Sequence, residues 1–351
     1  ARADVPSRLV AVQGDGQSGP VGSELPLPPT VRVTDRFENA VEGVPVFFQV
    51  VGGGGTVIAQ VSITDEDGVA SAGPWTLGEV AGLHLLSVTV VGVEGLVFTA
   101  LARAAPPSIL QPEAGLAQTA TVGTAVSTPP VVRVRDSFGN PVSKVTVTFA
   151  LSGSPPIPSG QSPGTLSRAV TLTDAEGLAA LGGWVLGTVA GTYEITALVE
   201  GVEGPVSFRA TATPASASIL VKVQGDAQTA SVGAALPVSP GVRARDRYGN
   251  GVPGVEVTFA VAGGGGSVNG PVTFTDSAGL AEVGGWTLGP TLVAQSLTAA
   301  AEGLPTVTFT AQAAAGAPAS LEKVEGDGQT AAVGGAVAVC PSPSTFSREA
   351  G

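Results

Sequence analysis

The chain has 351 residues, including 50 Gly and 28 Pro, and carries a formal charge of −12 from 16 basic and 28 acidic side chains. That length suits two or three domains rather than one sandwich, and the acidic balance removes nucleic acid and other polyanions from the partner list. A hydrophobic fraction of 43% excludes disorder, and a single His (His84) and a single Cys (Cys340) leave no zinc cluster, no disulfide framework and room for one Ser/His/Asp triad at most.

No apolar run reaches the roughly 18 to 20 residues of a membrane span, so no membrane insertion of this segment is expected. The chain starts Ala1-Arg2-Ala3-Asp4, without Met or a signal-type stretch, and reads as an internal piece of a longer protein.

Internal repeats set the organisation. Gly14-Asp15-Gly16-Gln17 returns as Gly115-Leu116-Ala117-Gln118, Gly225-Asp226-Ala227-Gln228 and Gly326-Asp327-Gly328-Gln329, with spacings of 101, 110 and 101. Next comes a strand in which Val31 and Val33 alternate with Arg32, as Val132 and Val134 do with Arg133, and Val242 and Ala244 with Arg243. It leads to a turn marker, Asp35-Arg36-Phe37-Glu38-Asn39, repeated as Asp136-Ser137-Phe138-Gly139-Asn140 and Asp246-Arg247-Tyr248-Gly249-Asn250. The Asp can accept a backbone N–H two residues on, and Gly followed by Asn supplies residues that tolerate positive φ.

The following strand places Val44, Val46, Phe48 and Val50 on one face, then Val145, Val147, Phe149 and Leu151, then Val255, Val257, Phe259 and Val261; these twelve are the expected core. Thr64-Asp65, Thr173-Asp174 and Thr275-Asp276 each precede a Gly (Gly68, Gly177, Gly279) and open another tight connection. A small-residue strand then reaches Trp75, Trp184 or Trp286. Each Trp has the opposite parity to the inward candidates Ala72, Leu181 and Val283, so a bulge is expected to swing the indole inside. From Asp to Trp the distances are 40, 48 and 40, which puts eight extra residues in the second copy, most simply in the Pro, Ser and Gly-rich stretch 152–164.

Turn signals every 8 to 12 residues between short apolar runs predict an all-β fold, a tandem of β-sandwich domains. The expected divisions are 1–105, 106–214 with the insertion at 152–164, 215–317, and a truncated fourth start, 318–351, which carries no Asp turn, is too short to bury a sandwich core and is expected to be poorly ordered. Cys340 lies in that last stretch and receives no function.

The strand-turn-strand run Val-x-Val-x-Asp-x-x-Gly-Asn, the Val-x-Val-x-Phe strand and Thr-Asp-x-x-Gly recur in order three times. On them the chain resembles the bacterial Ig-like modules of the invasin and intimin type, often called Big-1, from residue 8 to about 316. Glu38 and Ala40 in the first copy, and Gly251 and Val293 in the third, depart from that pattern. The resemblance implies a non-catalytic stalk, extracellular or on a bacterial outer surface, that holds an adhesive tip away from the cell, with the neighbouring modules as its partners. It leaves open a host receptor or glycan ligand, and a place as accessory modules of a larger extracellular enzyme.

No catalytic, cofactor or metal residue is assigned. His84, whose counterparts are Tyr193 and Gln295, reads as an ordinary strand position, and the three Trp read as core anchors rather than a sugar-stacking platform. Asp136 with Asp174, or Asp246 with Asp276, are expected near the preceding module. The first copy is densest in acids, with Asp35, Glu38, Asp65, Glu66 and Asp67. These acids read as Asx turns, with a structural calcium site as the rival. The insertion at 152–164 is the natural candidate for a ligand loop.

Overall fold

Alternation of apolar and polar side chains with a period of two makes strands with one wet face. In the computed structural model, which describes residues 4–318, 320–323 and 330–334, the described residues form thirty strands and no helix. The first ten are β1 (Arg8–Gln13), β2 (Gln17–Pro20), β3 (Thr30–Thr34), β4 (Pro45–Gly52), β5 (Gly55–Val57), β6 (Val61–Ile63), β7 (Val69–Ser71), β8 (Trp75–Leu77), β9 (Gly82–Val90) and β10 (Val93–Arg103). They build a three-stranded sheet β1-β3-β7, a five-stranded sheet β2-β10-β9-β4-β6 and a ribbon β5-β8. The same three sheets recur in the strands between Ile109 and Thr213 and between Ala217 and Ala314, each set around its own hydrophobic cluster. The chain is a tandem array of Ig-like β-sandwiches. The fourth Gly-Asp-Gly-Gln and Cys340 lie outside the described residues.

The first marker is where the chain changes sheets. β1 pairs antiparallel with β3, whereas β2 pairs parallel with β10, and Gly14 between them has φ 92°. A Cβ there would stand 2.7 Å from Pro29 Cα, and the same crowding recurs at Gly115 and Gly225, so glycine is required. Gln17 then closes the crossing: its amide donates to Gly14 O and Leu27 O and accepts from Leu27 N. Gln118 and Gln228 repeat the arrangement.

Of the expected core, Val46, Phe48, Val147, Phe149, Val257 and Phe259 are fully buried, and Val44, Val50, Val145, Val255 and Val261 pack half-buried against the clusters. Leu151 is the exception, 42% exposed. The register shift after it also follows Val50 and Val261, which stay half-buried, so what sets Leu151 apart is the longer loop that its strand leads into.

All three indoles are buried, by a different device from the expected bulge. Ala72 ends the path along β7, and β8 starts a separate ribbon against β5 at Trp75. The chain leaves one sheet between them, so inward parity is set afresh. Both Ala72 and Trp75 therefore point into the core, as do Leu181 with Trp184 and Val283 with Trp286.

Candidate functional site

The Asp turns lie where one unit meets the chain entering it. Asp136 Oδ1 accepts the N–H groups of Phe138 and Asn140 at 2.9 and 2.8 Å, an Asx turn that closes the loop after the Val-Arg-Val strand. Its Oδ2 reaches backwards and accepts the N–H of Ala105, in the incoming linker, at 2.9 Å. Asp246 does the same with Tyr248, Asn250 and linker residue Ala215, and Asp35 with Phe37, Asn39 and Asp4. All three carboxylates are buried.

The Asn of the marker carries the link across units. Asn140 Nδ2 donates to Asp136 Oδ2 and to Glu79 O of the preceding unit, while its Oδ1 accepts Ala81 N at 2.8 Å. Asn250 repeats this against Thr188 O and Ala190 N. The positive φ of the turn falls on Gly139 and Gly249, and on Glu38 (φ 68°) in the first unit, rather than on the Asn, which the turn holds as a clamp. Identity of Asn39, Asn140 and Asn250 amid varying neighbours was the available signal.

Of the acids expected at the junctions, Asp136 and Asp246 are there. Asp174 and Asp276 are exposed, and the bonds they make close their own turns, through Glu176 and Leu178 N–H and through Ala278 and Leu280 N–H. Among the described residues no three His, Cys, Asp or Glu side chains are grouped to hold a metal ion. Asp136 accepts four N–H donors, from Ala105, from Phe138 and twice from Asn140.

The insertion at 152–164 also belongs to a junction. Gln161 donates to Tyr248 O of the third unit at 2.8 Å and binds Thr188 through its carbonyl, while Ile157 and Tyr248 both pack on the second cluster. At the first junction, without an insertion, Phe138 lies opposite Gly22.

His84, Tyr193 and Gln295 are fully buried and share one task. Each binds the carbonyl four residues before it: His84 Nε2 at Val80 O, Tyr193 Oη at Val189 O, and Gln295 Nε2 at Thr291 O. Three chemically unrelated side chains thus tie down the same loop, which in the first two units carries the Glu79–Ala81 or Thr188–Ala190 anchor.

Burial raises the Asp35 pKa, but donation from Asp4 N–H, the Asn39 amide and the Phe37 and Asn39 N–H groups outweighs it and holds the carboxyl at about 2. At Asp136 burial is likewise outweighed, by the Asn140 amide and the N–H groups of Ala105, Asn140 and Phe138, and its pKa lies below the usual carboxylate range. Because folding depresses both values, their stabilisation is complete above the unfolded value near 4 and is lost as pH falls through the folded values. Melting temperature is therefore expected to fall between pH about 4 and about 2, and to fall less steeply in an Asp136→Asn variant. A variant as acid-sensitive as the parent would remove Asp136 from that account.

No protein-family model and no curated protein matches the chain. Among solved structures, FdeC, an Escherichia coli adhesin, is similar over 88% of this chain and 99% of its own, with a TM-score of 0.52 and 18% identity. InvD of Yersinia pseudotuberculosis is similar over 87% and 97% (TM-score 0.49, 17% identity), and invasin, described as a bacterial integrin-binding protein, over 88% and 60% (0.44, 14%). At these identities the likeness concerns the fold.

Proposed function

We propose that the three sandwiches form a stiffened spacer of an adhesin-like protein, exposed outside a bacterial cell, whose task is to hold another part of that protein at a distance. The observation that carries this reading is the repeated clamp. Both junctions spend a buried Asp on the linker backbone and an Asn on the preceding unit, which resists bending where a plain tether would allow it. Likeness in fold to an Escherichia coli adhesin supports the surface setting. The insertion, with Gln161 bonded to the third unit and Ile157 on the core, is read as a brace of the second junction rather than a ligand loop.

Small-angle X-ray scattering tests the reading. Three units of about 100 residues laid end to end reach roughly 100 Å, which gives a radius of gyration of about 30 Å. One globule of this length would give about 20 Å. The larger value, with a narrow distribution of interunit distances, is expected; the smaller value, or a broad distribution, would overturn the spacer.

A further inference from the structure

The outer face of the five-stranded sheet differs sharply between the first unit and its two copies. In β9 the polarity is inverted, with His84 buried and Leu83 60% exposed. Register places Leu83 opposite Leu101, Leu85 opposite Thr99, Ser87 opposite both Val97 and Gln49, and Phe47 opposite Thr89 and Val61. Phe47, Val61, Ile63, Leu83, Val97 and Leu101 are each between 41% and 60% exposed.

At the sites of Phe47, Leu83, Leu85, Val97 and Leu101 the second unit carries Thr148, Thr192, Glu194, Ser207 and Thr211, and the third carries Thr258, Ala294, Ser296, Thr308 and Gln312. The edge strand is apolar in all three units, with Val170 and Leu172 or Val272 and Phe274 exposed. Fold and position are therefore constant, and large apolar side chains at these five central-strand sites belong to the first unit alone.

We infer that this face is a self-association surface, on which a second copy of the chain packs sheet to sheet. Six side chains at those exposures present roughly 600 Å² of apolar area, the upper end of the roughly 300–600 Å² that the largest patch of a typical monomer reaches, and patches of that size are often functional. With Gln49, Ser87 and Thr99 between them the face approaches the roughly 800 Å² per partner of a stable interface. Copies that each carry −12 repel one another. The outward positions of β4 and β9 hold no charged side chain, and the charges at the β10 side of the face are of opposite sign, Arg103 beyond Leu101 and Asp15, which accepts the Thr99 hydroxyl. A two-fold axis would lay the Leu83 and Leu101 end of one face on the Phe47 and Ile63 end of the other, with the strand angle of about 30° that packed sheets adopt.

Sedimentation equilibrium of the full chain, from micromolar to near-millimolar concentration, tests this. The parent is expected to approach twice the mass of the chain, and to associate more tightly in high salt, where repulsion between copies is screened. The triple variant Phe47→Thr, Leu83→Thr, Leu101→Thr installs residues that the second unit carries at the same sites, so its fold should be kept, as circular dichroism would verify. Its dissociation constant is expected to rise at least about 100-fold. A parent that stays monomeric throughout, or a folded triple variant that pairs as tightly as the parent, would overturn the inference. So would a monomeric parent that binds phosphatidylcholine vesicles through this face, which would make the occupant a lipid surface.

Discussion

Truncation of Trp184 to alanine is expected to destabilise the second unit by about 3–5 kcal/mol, the range for removing a large aromatic from a closed core. The indole is fully buried in the cluster that holds Phe149, Ile195 and Phe208, and it lies on the ribbon strand Gly183–Leu186, whose Trp184 carbonyl accepts the Val126 N–H at 2.9 Å. Hydrogen exchange resolves the effect by unit. Protection in the strand Gly191–Leu198 should fall by two to three orders of magnitude, since each 1.4 kcal/mol is tenfold, while Ala294–Ala300 stays protected. Trp184→Phe should cost less than half as much. The buried Nε1 of Trp184 has no hydrogen-bond partner among the described residues, as at Trp75 and Trp286, and removing that donor offsets part of the lost volume. Protection within tenfold of the parent after Trp184→Ala would mean that the indole is not the anchor of its core.

Replacement of Asp136 by alanine is expected to cost about 3 kcal/mol or more, because three backbone N–H groups and the Asn140 amide lose a charged acceptor at a buried site. Asp174→Ala removes the same kind of turn from an exposed loop, where water replaces the carboxylate, and should cost at most about 1 kcal/mol. Thermal melts compare the two. Asn140→Ala separates the mechanical from the thermodynamic role: it keeps the Asx turn and deletes the bonds to Glu79 O and Ala81 N. It should broaden the distribution of interunit distances in scattering with a smaller loss of melting temperature than Asp136→Ala. Equal costs for Asp136→Ala and Asp174→Ala would show that the junction is not held by the buried carboxylate.

The repeats, the all-β class and the inward parity of Val46 and Phe48 or Val147 and Phe149 were legible in the chain, because a strand of period two leaves its imprint at every second residue. The turn chemistry of the Asp markers was legible for the same local reason: Asp136 Oδ1 bonds within four residues of itself. Its other oxygen was not. A bond from Ala105, thirty-one residues earlier, and a bond from Asn140 to Glu79, sixty-one residues earlier, depend on how two units meet. Leu151 shows the limit from the other side, since its parity marks it as core and it stands exposed at the end of the strand that leads into the insertion.

What the order of residues determined by itself is the building block and its recurrence, since propensity, alternation and turn residues act over a few positions and are written wherever they act. Only the tertiary structure decided that β7 and β8 part into different sheets so that Ala72 and Trp75 both face inward, that the marker Asn is an interunit clamp, and that His84, Tyr193 and Gln295 do one job. It also decided that Leu83 and Leu101 stand side by side on an open face. Those features arise from pairing between residues distant in the chain, which the closing of each sandwich fixes and local sequence leaves unspecified.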